Sequence, residues 1–306
     1  MLKFVSPVNQ SRLLQKDYET LQCQESGVEY HCVDGIWRMI APDRWPRYAQ
    51  FVQEYEAVRL AEGRKAADRS FYRQLPLAAS NHPAAAMWQQ RAASYQLFVD
   101  KIVKKSESKS TLKILDMGAG NGWLANRMAQ RGHTVGAVDL TTNDFDGLGV
   151  HTNYDHDFVP IQAEFDRLPL ESDQFDLLVF NASLHYSADY DTTLREAIRL
   201  IKSDGQIVVL DTPVYENGAS GRQMVAEREA DFQKQHGFKS NSLNSENFLS
   251  HERIEALRNS LHMQIEKINV VPDFRRAVRR LKTKIRDQRE AAEFPILILR
   301  KAAAFS

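Results

Sequence analysis

The sequence predicts an α/β fold organised on a mostly parallel sheet, and three stretches carry that expectation. In the first, Leu112 to Gly122 (LKILDMGAGNG), the residues Leu112, Ile114 and Leu115 form a short apolar run of the kind buried on both faces of a sheet. Asp116 ends that run, and Gly118, Gly120 and Gly122 alternate after it. Trp123, Leu124, Met128 and Ala129 then resume at helical spacing until Gly132, where a helix would stop. In the second, Thr134 to Val138 reads as another strand, ending in Asp139. In the third, Phe175-Asp176 opens a further apolar strand, Leu177 to Phe180, with a helix at Thr192 to Ile201 after it. Strand, glycine loop and helix make a cofactor-binding turn at the carboxyl end of a parallel strand.

An alternating glycine loop lets the backbone pass close under a ligand and reach φ/ψ values closed to residues with a Cβ. A GxGxxG dinucleotide loop would need glycine at 123, where this chain has Trp; the third glycine comes at 122 instead, giving D-x-G-x-G-x-G. A carboxylate at Asp139 can accept hydrogen bonds from both hydroxyls of a ribose, each contributing roughly 1.5–3 kcal/mol when one partner is charged. Asp139 therefore points to a nucleoside without saying which one.

The D-x-G-x-G-x-G spacing resembles the first motif of class I S-adenosylmethionine-dependent methyltransferases. Ala163 to Asn181 (AEFDRLPLESDQFDLLVFN) is similar to the third and fourth motifs of the same family, with Glu164 before Leu168-Pro169 and Phe175-Asp176 opening the fourth strand. The resemblance runs from Leu112 to about Pro213. It implies a Rossmann-like sheet of seven strands, six parallel and the last antiparallel beside the fifth, with helices on both faces and an N-terminal cap. It also implies S-adenosyl-L-methionine as cofactor, with S-adenosyl-L-homocysteine as product, held by Asp116, Gly118, Ala119, Gly120, Asn121, Gly122, Asp139, Leu140, Glu164, Phe165, Asn181 and Ala182. Glu164 matches the acid that meets the adenine amino group.

Length and composition set the remaining bounds. The 306 residues accommodate one large α/β domain with extensions, divided here into an N-terminal cap and lid, 1–110, and a cofactor-binding domain, 111–306, with an insertion at about 214–250. Basic and acidic residues each number 40, so net charge exerts no general pull toward nucleic acid or membrane. Cys23 and Cys32 alone make neither a disulfide framework nor a four-ligand zinc site, and no metal is expected. No apolar run approaches the roughly 20 residues that span a bilayer. The start, MLKFVSPVNQSR, lacks the apolar core of a secretory signal, and a reducing cytoplasm is the expected compartment.

Taken in order, residues up to about Met39 hold strand-like pieces. CQESGVEYHCVDGIWRM looks like a reduced form of the small zinc ribbon that precedes some bacterial methyltransferase domains, here without the metal-holding Cys pairs, and the reading favoured for it is a β-hairpin that caps the domain. Arg47 to Ala61 is a predicted helix with Tyr48, Phe51, Val52, Tyr55 and Val58 along one face, readable as core or as a lid over the cofactor. Ser70 to Pro83 is a loop with two prolines and room for a short helix, reaching toward the substrate mouth, Ala84 to about Val103 is a second helix, and Lys104 to Ser110 is a polar linker. Residues 141 to 158 form an acidic connection with a short helix near Gly147 to Tyr154, and a third strand follows at Val159 to Ala163. After the fourth strand and its helix, Gln206 to Leu210 is a fifth strand. Val214 to Ser250 is a polar insertion whose centre, Arg222 to Gln235, reads as an exposed helix and a candidate substrate cover. His251 to Leu261 is a helix, and Gln264 to Val270 and Phe294 to Leu299 are the last two strands. Asp273 to Glu290 (DFRRAVRRLKTKIRDQRE) is a strongly basic helix with Phe274, Val278, Leu281 and Ile285 on one face, read as a solvated cover of the sheet or as an anion site.

For chemistry, His185 just past the fourth strand is the candidate general base, because imidazole titrates in the right range; packing or a loop-fixing hydrogen bond is the competing role. Tyr186 shares that loop and would line the acceptor pocket. Asn181-Ala182-Ser183-Leu184 departs from the Asn/Asp-Pro-Pro-Tyr type sequence of enzymes that methylate nucleobase amino groups, which leaves oxygen, carbon, sulfur and other nitrogen acceptors open. The expected function is methyl transfer to a small-molecule acceptor. An RNA or protein methyltransferase, or the same fold running a non-methylating reaction, stands as the alternative.

Overall fold

A computed structural model describes residues 1–64, 68–77, 84–108, 110–237, 243–271 and 289–302. Four short strands open the chain: β1 (Leu13–Gln15), β2 (Thr20–Cys23), β3 (Glu29–Val33) and β4 (Ile36–Arg38). They pair antiparallel in sequence. Helices α1 (Trp45–Ala61), α2 (Arg69–Gln74) and α3 (Ala85–Phe98) follow, and α3 runs through a π-helical turn, Val99–Val103, into α4 (Lys104–Glu107). Helix thus extends into the stretch expected as a linker. Val99, Ile102 and Val103 are buried, and Lys104 pairs with Asp100 one turn back at 2.7 Å, which together hold the extra turns.

The glycine-loop strand is β5 (Lys113–Met117), leading to α5 (Trp123–Gln130), β6 (Thr134–Asp139) and β7 (Val159–Gln162). The acidic connection before β7 folds as a 3₁₀ helix, Leu148–Asn153. Then come β8 (Phe175–Asn181), α6 (Tyr190–Leu200), β9 (Ile201–Leu210), β10 (Val214–Tyr215), α7 (Gly218–His236), β11 (Leu249–Ser250), α8 (His251–Ser260), β12 (Met263–Ile268) and β13 (Ile296–Lys301).

The main sheet runs β1-β2-β3-β4-β7-β6-β5-β8-β9-β13-β12. Its last seven strands are the expected set: β13 lies antiparallel between β9 and β12, and β5 to β9 run parallel. The N-terminal strands extend the same sheet, because β4 pairs parallel with β7. Alternate residues of each strand serve opposite faces, as a period of two requires. Leu115, Leu178, Phe180, Ile207 and Val209 pack with Leu194 and Leu200 of α6 and Ile254 and Leu257 of α8. Ile114, Leu177, Val179 and Val208 pack with Phe98 of α3 and Trp123, Leu124 and Met128 of α5. A three-layer arrangement results, and the ends of β5, β6, β8 and β9 emerge together at one edge.

The insertion is tied down by β10 and β11, which pair parallel as a separate two-stranded sheet. Asn217 caps α7 by accepting from the amides of Ala219 and Ser220, and Gly237 ends it in the left-handed region. Nearly all of the basic stretch, residues 273–288, lies outside the described residues; of its last two, Arg289 donates to Glu227 on α7 at 2.6 Å. Among the described residues no helix is long and apolar enough to cross a membrane. No group of three or more His, Cys, Asp or Glu among them is placed to hold a metal ion.

Candidate functional site

The strand ends open on a cleft of about 790 Å³, open solvent included, lined by Tyr48, Tyr55, Gly118, Asp139, Glu164 and Ser183 among others. On the β5 side, Gly118 has φ +71° and Gly122 φ +75°. A Cβ on Gly118 would stand 2.4 Å from Ser183 Cβ, and one on Gly122 would stand 2.7 Å from the Phe158 ring. Glycine is needed there for close approach as well as for backbone angle. The amides of Gly118 and Ala119 both donate to the Val138 carbonyl, at 2.8 and 2.9 Å, which binds the loop to the end of β6. Asn121 is buried and accepts from the Trp123 amide at the start of α5.

Asp139 is the hub of this half. Its Oδ2 accepts from the Gly120 amide at 2.8 Å, and its Oδ1 accepts from the amide and hydroxyl of Thr141 at 2.8 and 2.7 Å. A carboxylate offers about four lone-pair positions, so capacity remains for a ligand hydroxyl. Asp116 is fully buried, and its Oδ2 accepts from the Ala125 amide of α5 at 3.2 Å. Burial, with a smaller contribution from Asp139, pushes its carboxyl up to about 8 against that amide. Asp116 Oδ1 and Asn181 Oδ1 are both buried without a hydrogen-bond partner, at the ends of neighbouring strands. Two acceptors lacking donors beside a glycine cradle suit a ligand that carries an ammonium group. The residues present therefore fit the amino-acid end of S-adenosylmethionine.

Glu164 is buried, and α1 reaches it from the far end of the sequence. Arg44 donates from Nε to Oε1 at 3.0 Å and from Nη2 to Oε2 at 2.5 Å, and the Tyr48 hydroxyl donates to Oε2. Burial works against the charge, but the bonds from Arg44 and Tyr48 outweigh it and hold the carboxyl below its usual range. Oε1 carries one bond and keeps a lone pair for a further donor. Leu140, Phe165 and Ala182 line the same cleft. Ala182 has φ +56°, and the Ser183 hydroxyl donates to the Met117 carbonyl, which turns the chain sharply after β8.

His185 and Tyr186 sit in a 3₁₀ turn, Leu184–Tyr186. The His185 ring lies 4.4 Å from that of Tyr186, which meets the Tyr55 ring edge-on at 6.0 Å. His185 Nδ1 is 3.3 Å from the Thr212 hydroxyl. Burial, then the charges of Arg228, Arg59 and Arg91, push its pKa down to about 3, so the ring is neutral at pH 7. Nearby, Asp211 has φ +50°; its Oδ1 accepts from Ser94 at 2.8 Å and Gln90 at 3.3 Å, both on α3, while Oδ2 is buried without a partner. The Asn247 amide donates to the His185 carbonyl, and Arg228 of α7 donates to Asn247 Oδ1 at 3.0 Å.

Of the residues expected from the motifs, Gly118, Gly120, Asp139, Leu140, Glu164, Phe165, Ala182 and Tyr186 line the cleft, whereas Asp116, Ala119, Asn121, Gly122, Asn181 and His185 lie behind its wall; around them stand Arg44, Arg59, Arg91, Asp211, Arg228 and Asn247, which the motifs do not include. Sequence reasoning missed these six because each is an isolated polar residue on an element that arrives from elsewhere. Only Asp211 had a signal, as the polar end of a predicted strand, like Asp139.

Residues 115–209 match the family model described as "Methyltransferase domain". A malonyl-[acyl-carrier protein] O-methyltransferase of Buchnera aphidicola is 30% identical over 107 residues, covering 35% of this chain and 42% of that protein. A sarcosine/dimethylglycine N-methyltransferase of Halorhodospira halochloris is 31% identical over 102 residues, 32% of this chain and 37% of that protein. The matches thus span under half the length of each relative. Among solved structures, the 1,6-didemethyltoxoflavin-N1-methyltransferase of Burkholderia thailandensis, with S-adenosylhomocysteine bound, aligns at 16% identity and a TM-score of 0.47, covering 95% of this chain and 99% of that one. The glycine loop, the acids after β6 and β7 and the matched span agree on one assignment: the chain carries a methyltransferase domain of the class I S-adenosylmethionine-dependent family.

Proposed function

We propose that the chain transfers a methyl group from S-adenosylmethionine to a small-molecule acceptor. The observation that carries this reading is Asp139, a carboxylate that fixes the glycine loop through Gly120 and still has lone pairs at the cleft wall. When bound, S-adenosylmethionine supplies a methyl group on a positively charged sulfur, open to displacement by an aligned nucleophile. Asp139 takes the ribose hydroxyls, Asn181 Oδ1 offers an acceptor to the ammonium, and Asp116, protonated at neutral pH in the ligand-free chain, gives up its proton beside that positive charge and becomes its counter-charge. Glu164, kept ionised by Arg44, offers its spare Oε1 lone pair to the adenine amino group. Tyr55 and Tyr186 close the cleft against water beside His185. If the Nδ1–H of His185 donates to Thr212, Nε2 is left as an acceptor for the nucleophile's proton. With its pKa near 3, His185 removes a proton only from a nucleophile that acidifies as the methyl arrives, and it orients a hydroxyl or amine equally well. Orientation of this kind supplies about 7–11 kcal/mol in the best intramolecular cases.

One relative is named for O-methylation and another for N-methylation, which supports oxygen or nitrogen as the acceptor atom. A division into an N-terminal unit, 1–110, that lends α1 to the cleft, and a domain, 111–306, whose insertion at about 214–250 reaches it through Leu243, belongs to the same proposal. Calorimetric titration of S-adenosylhomocysteine tests the reading. Asp139→Ala removes the partner of two charge-assisted bonds and is expected to weaken binding by at least about tenfold. Equal affinity in that variant, or no binding by the unaltered chain, would overturn it.

A further inference from the structure

One wall of the cleft carries three linked side-chain oxygens that lie outside the glycine-loop and terminal-acid pattern. Asp166, Thr193 and Ser187 all line the cleft together with Glu164. Glu164 and Asp166 are alternate residues of the loop after β7, and Phe165 between them packs its ring edge-on against Phe180, with centroids 5.7 Å apart. Thr193 belongs to α6 and is fully buried; Ser187, which follows the 3₁₀ turn of His185 and Tyr186, is buried too. The Thr193 hydroxyl donates to Asp166 Oδ1 at 2.6 Å, and Ser187 Oγ stands 2.8 Å from Thr193 Oγ1.

The carboxylate at the end of this chain fixes the direction of its hydrogen bonds. An ionised carboxylate only accepts, and a hydroxyl has a single proton to donate. Thr193 commits its proton to Asp166, so the proton between the two hydroxyls belongs to Ser187 and Thr193 Oγ1 accepts it. Ser187 Oγ is left with lone pairs and no proton to offer, and no other hydrogen bond reaches it among the described residues. Glu164 is an acceptor on the same wall, since its Oε1 keeps a lone pair beyond the bond from Arg44 Nε at 3.0 Å. Two acceptors side by side suit a primary amino group, which carries two N–H donors. A carbonyl oxygen in the same place would meet lone pairs from both and leave them unpaired.

We propose that Ser187, held as an acceptor by Thr193 and Asp166, takes the second N–H of the adenine amino group whose first N–H goes to Glu164, so that the cleft selects an aminopurine over an oxopurine. The proposal rests on the methyl-transfer reading, which assigns the adenine to Glu164. Ser187 is the residue that touches the ligand; Thr193 and Asp166 are positioning residues that act through it. Discrimination of this kind is strong because the wrong ligand strands buried polar groups, whereas an apolar pocket penalises a small change of shape only weakly.

The test titrates the full chain calorimetrically with S-adenosylhomocysteine and with S-inosylhomocysteine, in which an oxo group replaces the amino group. The unaltered chain is expected to bind the adenosyl compound at least about 100-fold more tightly. Ser187→Ala should weaken the adenosyl compound by about tenfold without weakening the inosyl compound. Thr193→Val frees the Ser187 proton to turn into the cleft, so the preference should shrink by about tenfold, in part through tighter binding of the inosyl compound. A chain of oxygens that only braces the loop against α6 would instead make each variant lose both compounds alike, and that outcome overturns the proposal. Equal affinities in the unaltered chain overturn it as well, as do variants that keep the full preference. Binding of the adenosyl compound without discrimination removes this proposal alone, whereas failure of the unaltered chain to bind either compound removes the methyl-transfer reading and the proposal with it.

Discussion

The donor side of the cleft is made from main chain close in sequence, whereas the acceptor side is made from side chains that arrive on five separate elements. Gly118, Ala119 and Gly120 bond to Val138 and Asp139, all within one strand-loop-helix-strand unit. His185 instead stands among Arg59 of α1, Arg91 of α3, Thr212 after β9, Arg228 of α7 and Asn247 before β11. Backbone geometry at a strand end is dictated locally and tolerates little change. A pocket of side chains from distant elements can alter its contents one residue at a time, which is how one cofactor fold serves many acceptors.

The contrast is broken most directly at Gly118. Gly118→Val places a branched side chain where a single Cβ already meets Ser183 at 2.4 Å, at a φ that disfavours any L-residue. S-adenosylhomocysteine affinity is expected to fall by at least about 100-fold, with a lowered melting temperature. A Val variant with normal affinity in calorimetry would show that the donor side is not built by the close approach described here.

Acidity separates the two halves by sign. Asp116, on the donor side, has its folded pKa raised to about 8, so its contribution is fully present below the unfolded value near 3.9 and is lost as pH rises through 8. Asp116→Asn should therefore stabilise the ligand-free chain by an amount that grows between about pH 4 and 8 and then levels off. His185, on the acceptor side, has its folded pKa depressed to about 3, so its contribution is present above the unfolded value near 6.5 and is lost as pH falls toward 3. His185→Asn should remove that part of the acid sensitivity. Each effect is on the order of 2–5 kcal/mol at its limit. Denaturant melts of both variants across pH 3–9 check the signs, and parallel curves would contradict the burial of the two groups.

What the sequence made legible follows the same division. The seven-stranded order, the loop glycines and Asp139 were readable because strand runs, turn glycines and terminal acids impose local spacing. Of the four strands before Met39, the last two were readable as strand-like pieces and β1 and β2 were not, and their addition to the sheet edge through Trp37 and Ile161 depends on a pairing more than 120 residues apart. Glu164 was readable as an acid in a motif, whereas Arg44, 120 residues earlier, carries no pattern that announces its partner. His185 was expected to titrate in the physiological range. Its shift to about 3 comes from burial and from three arginines that no local window contains.

The smallest expected effect lies where the two halves touch, at Arg44 and Glu164. Their side chains are 19% and 4% exposed, so the pair is neither a surface bridge nor a fully buried one. In Arg44→Gln, Glu164 keeps the Tyr48 hydroxyl on Oε2 but loses the bidentate guanidinium. The expected loss is about 1–2 kcal/mol, below the 3–5 kcal/mol for orphaning a fully buried charge, because water can reach the vacated side. It should be local: amide exchange quickens across α1, residues 45–61, while β5 and β6 exchange as before. The depressed pKa of Glu164 gives the pH dependence, since its contribution is present above the unfolded value near 4.3 and is lost as pH falls through the lower folded value. The variant and the unaltered chain should therefore converge in stability at acid pH. Because Oε1 holds a spare lone pair even with Arg44 in place, S-adenosylhomocysteine affinity should change less than tenfold. A larger loss, or quickened exchange that spreads into β6, would mean that α1 holds the donor side together as well, and the division between a locally built half and an assembled half would fail at this point.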